Sequence, residues 1–315
     1  MSSLQFVRNT SSSAIASLAL RGTSKLLAFL RIASKTASGR IGLFIVLIHF
    51  LLAVFGPFIT PHSPTEFGAE NLQHRLEGPT LSHPFGTDHF GRDILSRVIA
   101  GARSIIWISV IGTALGIFLG TVVGITSGYL GGWADQISMR IMDWLLSFPS
   151  LLLALLLITI GAERFQIDES WLIILVIGIA FMPNNSRVIR SASLTVKPLE
   201  FVQNARLRGE PLYYIVFREI LPNVLPVIGV EATLRLSFAL LLTASLGFLG
   251  LGVQPPTPDW GLMVSDGREF LSMAPWVALS PALAMGSLVI GVNLLADGIR
   301  PVSYTHLTLP TNREV

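Results

Sequence analysis

Long apolar runs alternate with polar stretches along the whole chain. Residues 41–59 form the first run, broken only by His49, with Pro57 and Pro61 at its close. At 1.5 Å per helical residue, nineteen residues reach about 30 Å, the thickness of a hydrocarbon core. Further runs lie at 105–127, 141–161, 171–182, 224–249 and 276–295. The pattern predicts six membrane-spanning helices. Pro149 falls inside the third and should kink or unwind it. In the fourth, Pro183-Asn-Asn-Ser186 breaks the apolar run, and basic residues follow.

The polar stretches differ in character. Residues 1–40 are Ser-rich and basic, and read as a tail preceding the first span. Residues 60–104 mix Pro, His, Gly, Asp and Arg, and include Asp88 as a candidate N-cap for a short helix through Phe90, Ile94, Leu95 and Val98. Residues 250–274 are rich in proline and glycine and read as a rigid loop. The longest basic interruption, 191–222, contains Glu200-Phe-Val-Gln-Asn-Ala205 and Gly209, then Ile220-Leu-Pro222-Asn223. Crossing a membrane does not require such a loop.

Composition agrees with a membrane protein. Charged residues make up 13% of the chain and hydrophobic residues 51%, whereas soluble domains carry about 25% charged residues. With no cysteine, disulfides, thiolate metal sites and cysteine nucleophiles are excluded. If six spans alternate, fourteen Lys and Arg up to Arg300 fall on the side holding both ends and the 191–222 loop, against six on the other. The positive-inside rule then places the termini and that loop in the cytoplasm, and 60–104 and 250–274 outside.

Chemistry is sparse. Gly112, Gly116, Gly120, Gly124 and Gly128 recur every four residues, which lines them along one helix face for close helix packing. Glu231 and Arg235 stand one turn apart inside the fifth span. As intramembrane charges they are either lining for a pathway or a structural pair facing the bundle. His83 and His89 have no third ligand close in sequence and read as loop histidines. There is no phosphate-binding Gly-x-x-x-x-Gly-Lys-Ser/Thr, no His-Glu-x-x-His and no Gly-x-Ser-x-Gly. Catalytic, cofactor and metal residues are therefore assigned to none.

Three stretches together resemble the permease subunits of ATP-binding cassette importers of the dipeptide, oligopeptide and nickel family, specifically the second of the two permeases. They are His83-Pro-Phe-Gly-Thr-Asp88-His-Phe-Gly91-Arg92-Asp93-Ile-Leu-Ser96-Arg97; Glu200-x4-Ala205-x3-Gly209 with Ile220-Leu-Pro222-Asn223; and Ala244-Ser-Leu-Gly247-Phe-Leu-Gly250-Leu-Gly252 with Pro258-Asp259-Trp260-Gly261. The resemblance covers about 40–300. Asn204, the Glu210-Pro211 pair and Pro183–Ser186 depart from the family pattern, and 301–315 looks foreign to it. The resemblance implies an all-α type I importer domain: tail 1–40, first span 41–59, outer segment 60–104 and permease core 105–300. It further implies no chemistry of the chain's own, a second permease, two cytoplasmic ATPases contacted through Glu200, Ala205, Gly209, Ile220 and Pro222, an external binding protein, and residence in a bacterial or archaeal cell membrane. An ATP-independent channel or carrier is the alternative, and a membrane scaffold without transport a third reading.

Overall fold

The computed structural model describes residues 34–66 and 71–305. Most of the tail at 1–40 and the end of the 301–315 segment lie outside the described residues. Those described form an all-helical bundle with no strand among them. Helix α1 spans Ala37–Ile59, capped by Thr36 through the Gly39 N–H. Helix α2 spans Ile94–Leu130, α3 Gly132–Leu146, α4 Ser150–Phe165 and α5 Glu169–Val196. A short α6 covers Glu200–Leu207, and α7 runs from Leu212 to Phe248 with a π-helical segment at Ile215–Ile220. Helix α8 is Trp260–Gly267 and α9 is Trp276–Thr305.

Five of these helices are long and apolar enough to cross a membrane. The third expected span is the pair α3 and α4, bent by 87° between Leu146 and Ser150. Pro149 stands at the N-cap of α4, so of the kink or unwinding expected there, the helix unwinds. Two ion pairs hold α3 in place from outside: Arg190 grips Asp135 with two 2.5 Å hydrogen bonds, and Arg187 pairs with Asp143.

Where Pro183 was expected to end the fourth apolar run, α5 continues unbroken to Val196. Proline removes one N–H from the ladder. Here it is buried in the bundle, where neighbouring helices support an interrupted helix. Its opposite face is α2. A Cβ on Gly112 would meet Ile177 at 2.8 Å, on Gly116 Phe181 at 3.0 Å, on Gly120 Asn185 at 2.5 Å, on Gly124 Ser186 at 2.6 Å, and on Gly128 Arg190 and Ser193 at 3.2 Å. The four-residue step on α2 thus meets a four-residue step on α5.

Three apolar cores follow one another along α2. Ile94, Val98, Ala102 and Ile105 pack with Trp260, Met263, Val277 and Val292 at one end. In the middle, Ile108 packs with Ile158, Ile173, Ile177 and Leu246. At the far end Ile125 packs with Ile189, Val202, Ala205, Ile215 and Ile220. Thirty-seven residues separate the two ends of α2 by about 55 Å.

Candidate functional site

At the distal end of α2, the 191–222 stretch is mostly helix. Helix α5 reaches Val196, and after a short turn α6 begins with Glu200 in its first turn, where a carboxylate suits the exposed N–H groups. The α6 N-cap position is Leu199, which supplies no side-chain cap. Val202 and Ala205 are buried and bind α6 to the distal core. The rest of the helix looks outward, and Leu207 at its end is 84% exposed. Arg206 and Arg208 flank it, both exposed.

Gly209 ends α6 with φ of +73° and open space where a Cβ would stand. A side chain fits there, but the left-handed backbone disfavours one by about 1–2 kcal/mol. Ile220 is buried in the distal core, and Pro222 is exposed in the first turn of the segment Leu221–Phe248. Pro222 and Pro226 lack N–H groups, so the ladder shifts locally. The side-chain amide of Asn223 donates to the Glu219 carbonyl at 2.7 Å. Of the five residues that the resemblance assigned to contact, Glu200, Gly209 and Pro222 therefore face out. Ala205 and Ile220 face in as anchors. The outward apolar group is Leu207 with Phe201, Leu212, Tyr213 and Phe217, which motif matching did not single out. Its sequence signal is apolar residues among arginines on a short amphipathic helix.

Within the bundle, Arg235 donates to Glu231 Oε1 through Nε at 2.7 Å and Nη2 at 2.5 Å. The same Nε reaches Asn185 Oδ1 at 3.2 Å. Asn185 is fully buried, and its Nδ2 has no hydrogen-bond partner. The pair on α7 is thus tied to α5, beside the Gly120 contact. Glu231 is buried, while Arg235 keeps partial exposure.

The opposite end carries the Phe85–Arg97 motif. Asp93 caps α2, accepting from the Ser96 N–H at 2.8 Å. Asp88, the cap expected from sequence, instead closes its own turn through the N–H groups of Phe90 and Arg92 and accepts from Arg92 Nε at 2.7 Å. Arg97 approaches the same carboxylate at 3.6 Å. Two guanidiniums attract Asp88 more strongly than a helix start that Asp93 already serves. Burial pulls the neighbouring His89 imidazole below its ordinary pKa, against the raising effect of Asp88. The Gly247 stretch folds onto Asp259, which caps α8 through the Leu262 N–H at 2.9 Å. Burial pushes the Asp259 carboxyl upward, and the backbone N–H groups it accepts from pull it back. Trp260 then donates to the Val98 carbonyl at 2.9 Å, in the space that Gly101 leaves.

Residues 116–304 match the family described as binding-protein-dependent transport system inner membrane component, and 33–79 match the N-terminal TM domain of oligopeptide transport permease C. The dipeptide transport system permease protein DppC of Alkalihalophilus pseudofirmus is 39% identical over 260 residues, covering 82% of this chain and 83% of that protein. The glutathione transport system permease protein GsiD of Escherichia coli O1:K1 is 38% identical over 259 residues, 82% of each. A chain of the MetNI methionine ABC transporter in an inward-facing conformation aligns with TM-score 0.49 and 20% identity over 67% of this chain and 97% of that one.

Proposed function

The chain belongs to the family of binding-protein-dependent transport system inner membrane components, and from that premise we propose that it is one of two permease subunits of an ATP-driven importer of short peptides. It is a multi-pass membrane permease. The substrate class follows its relatives, which are named for dipeptide and glutathione transport. A second permease completes the pathway, a binding protein outside delivers the peptide, and two cytoplasmic ATPases supply the energy.

One observation carries the coupling role. Leu207 stands 84% exposed between two arginines, on a helix whose other face is locked into the distal core. Exposed apolar side chains rimmed by charge mark protein contacts. Helix α6 therefore seats in an ATPase cleft, with Gly209 turning the chain away behind it. Since α6 shares its core with α2, α5 and α7, ATPase closure moves those helices together, by rigid-body displacement.

Two variants test this. Leu207→Asp should reduce ATPase co-purification by on the order of tenfold or more, the equivalent of losing a buried leucine contact of ~1.5–3 kcal/mol. Gly209→Trp should abolish peptide uptake while membrane insertion survives. Intact uptake in both variants would sink the coupling reading. Peptide transport by the purified chain alone in liposomes would favour an ATP-independent carrier.

A further inference from the structure

His62, just past the end of α1, His83 in the outer turn and Asp93 at the start of α2 come together at the end of the bundle opposite α6. One ligand atom from each lies within 4.8 Å of the other two. His83 Nδ1 is 3.0 Å from Asp93 Oδ1, and His62 Nδ1 is 3.9 Å from Asp93 Oδ2. The first distance suits a hydrogen bond. The second exceeds one, so a ring nitrogen faces a carboxylate oxygen across a gap that no direct bond fills. The two imidazoles lie close together, tilted by 32° with centroids 4.6 Å apart.

Ligands held tetrahedrally about a zinc ion at about 2.0–2.1 Å stand roughly 3.3 Å apart. The two imidazoles approach different oxygens of the Asp93 carboxylate, at 3.0 and 3.9 Å, on either side of that spacing. Two imidazole nitrogens and a carboxylate oxygen also form a donor set that suits borderline divalent ions rather than magnesium or calcium. The carboxylate is pre-positioned: Asp93 is fully buried, and Oδ2 also accepts from the Ser96 N–H. Ser96 Oγ in turn accepts from the His62 backbone N–H at 3.1 Å, so one serine orients two ligand residues. Such outer hydrogen bonds are what fix metal ligands in place. His62 is 43% exposed and His83 16%, which leaves an approach for the ion and space for water to complete its shell.

We propose that His62, His83 and Asp93 form a binding site for one divalent transition-metal ion of the zinc class. The site lies outside the bundle interior, and its ligands come from the end of α1, the following loop and the start of α2. A bound ion therefore braces these segments against one another. The proposal does not depend on the peptide-importer reading, because its readout is metal binding to the chain.

The test is a Zn2+ titration of the full chain, purified tag-free in detergent, against a chromophoric chelator. The wild type should take up one equivalent, and Zn2+ should raise its unfolding temperature. His62→Ala removes a half-exposed ring and should leave the helices intact. It should bind Zn2+ at least ~10-fold more weakly and lose the thermal shift, and His83→Ala should do the same. His74→Ala, whose ring is instead bonded to Glu77 at 2.9 Å, should bind like wild type. Absence of Zn2+ binding in the wild type, wild-type affinity in His62→Ala, or an equal loss in His74→Ala would overturn the site.

Discussion

Single side chains decide several contests in this molecule. Asp88 and Asp93 both begin helix-compatible sequences, and both are typical capping residues. Arg92 and Arg97 break the tie by drawing Asp88 into a buried ion-pair cluster, so Asp93 is left to cap α2. That outcome depends on charges brought in by folding. Beside this cluster, His89 supplies a pH prediction. Asp88, Asp266, Arg92 and Arg75 surround it electrostatically, and burial, the largest influence, favours its neutral form. A histidine with a lowered folded-state pKa resists a proton that the unfolded chain accepts. Stability should thus fall as pH drops through the ordinary histidine value of about 6.5. His89→Gln should flatten the dependence of unfolding temperature between about pH 7 and pH 5; an unchanged profile would show that the imidazole is not its source. In the bundle, Glu231→Leu should destabilise the protein, by ~3–5 kcal/mol where a buried pair loses one partner. Arg235 would keep only Asn185. The double variant Glu231→Leu, Arg235→Met should recover much of the loss in thermal unfolding.

Among elements, the α2–α5 contact was readable because its signal is local and repeated. Five glycines one turn apart have few physical explanations besides close approach, and the partner need not be known to see it. The two prolines behave differently. Pro149 and Pro183 present the same local chemistry, yet α3 and α4 part at 87° while α5 runs on. The difference lies in surroundings: Pro183 is buried in the bundle, and Pro149 joins segments with few buried residues. Inward and outward faces of α6 were equally hidden from motif matching, which treats Ala205 and Gly209 alike. One is wholly buried and the other exposed. His62, His83 and Asp93 come from separate segments, so no spacing rule could assemble them. The packing argument makes a prediction at this scale. Gly120→Leu places a branched side chain where a Cβ alone is 2.5 Å from Asn185, so α2 and α5 must separate. Membrane insertion should survive while protease resistance of the assembled bundle is lost; wild-type resistance would refute the contact.

For the molecule as a whole, the fold class was legible because hydrocarbon thickness sets span length, which requires no tertiary detail. The absence of cysteine makes orientation directly testable. Cysteines introduced singly at Leu207 and at Leu81, both strongly exposed, should react with an impermeant thiol reagent from opposite faces of the membrane. Labelling of position 207 from the outer face, or of position 81 from the cytoplasmic face, would reverse the charge-based topology.

The buried Ala205 has a mechanical consequence. A coupling rod attached by a flexible hinge absorbs small displacements before it transmits any. Helix α6 has no such slack, because its methyl group and Val202 are seated in the same close-packed core that holds the ends of α2, α5 and α7. If α6 is the ATPase contact proposed above, movement imposed at Leu207 would reach the far end of those helices with little lost on the way, and a larger residue at 205 would loosen the transmission without touching the surface that receives the push.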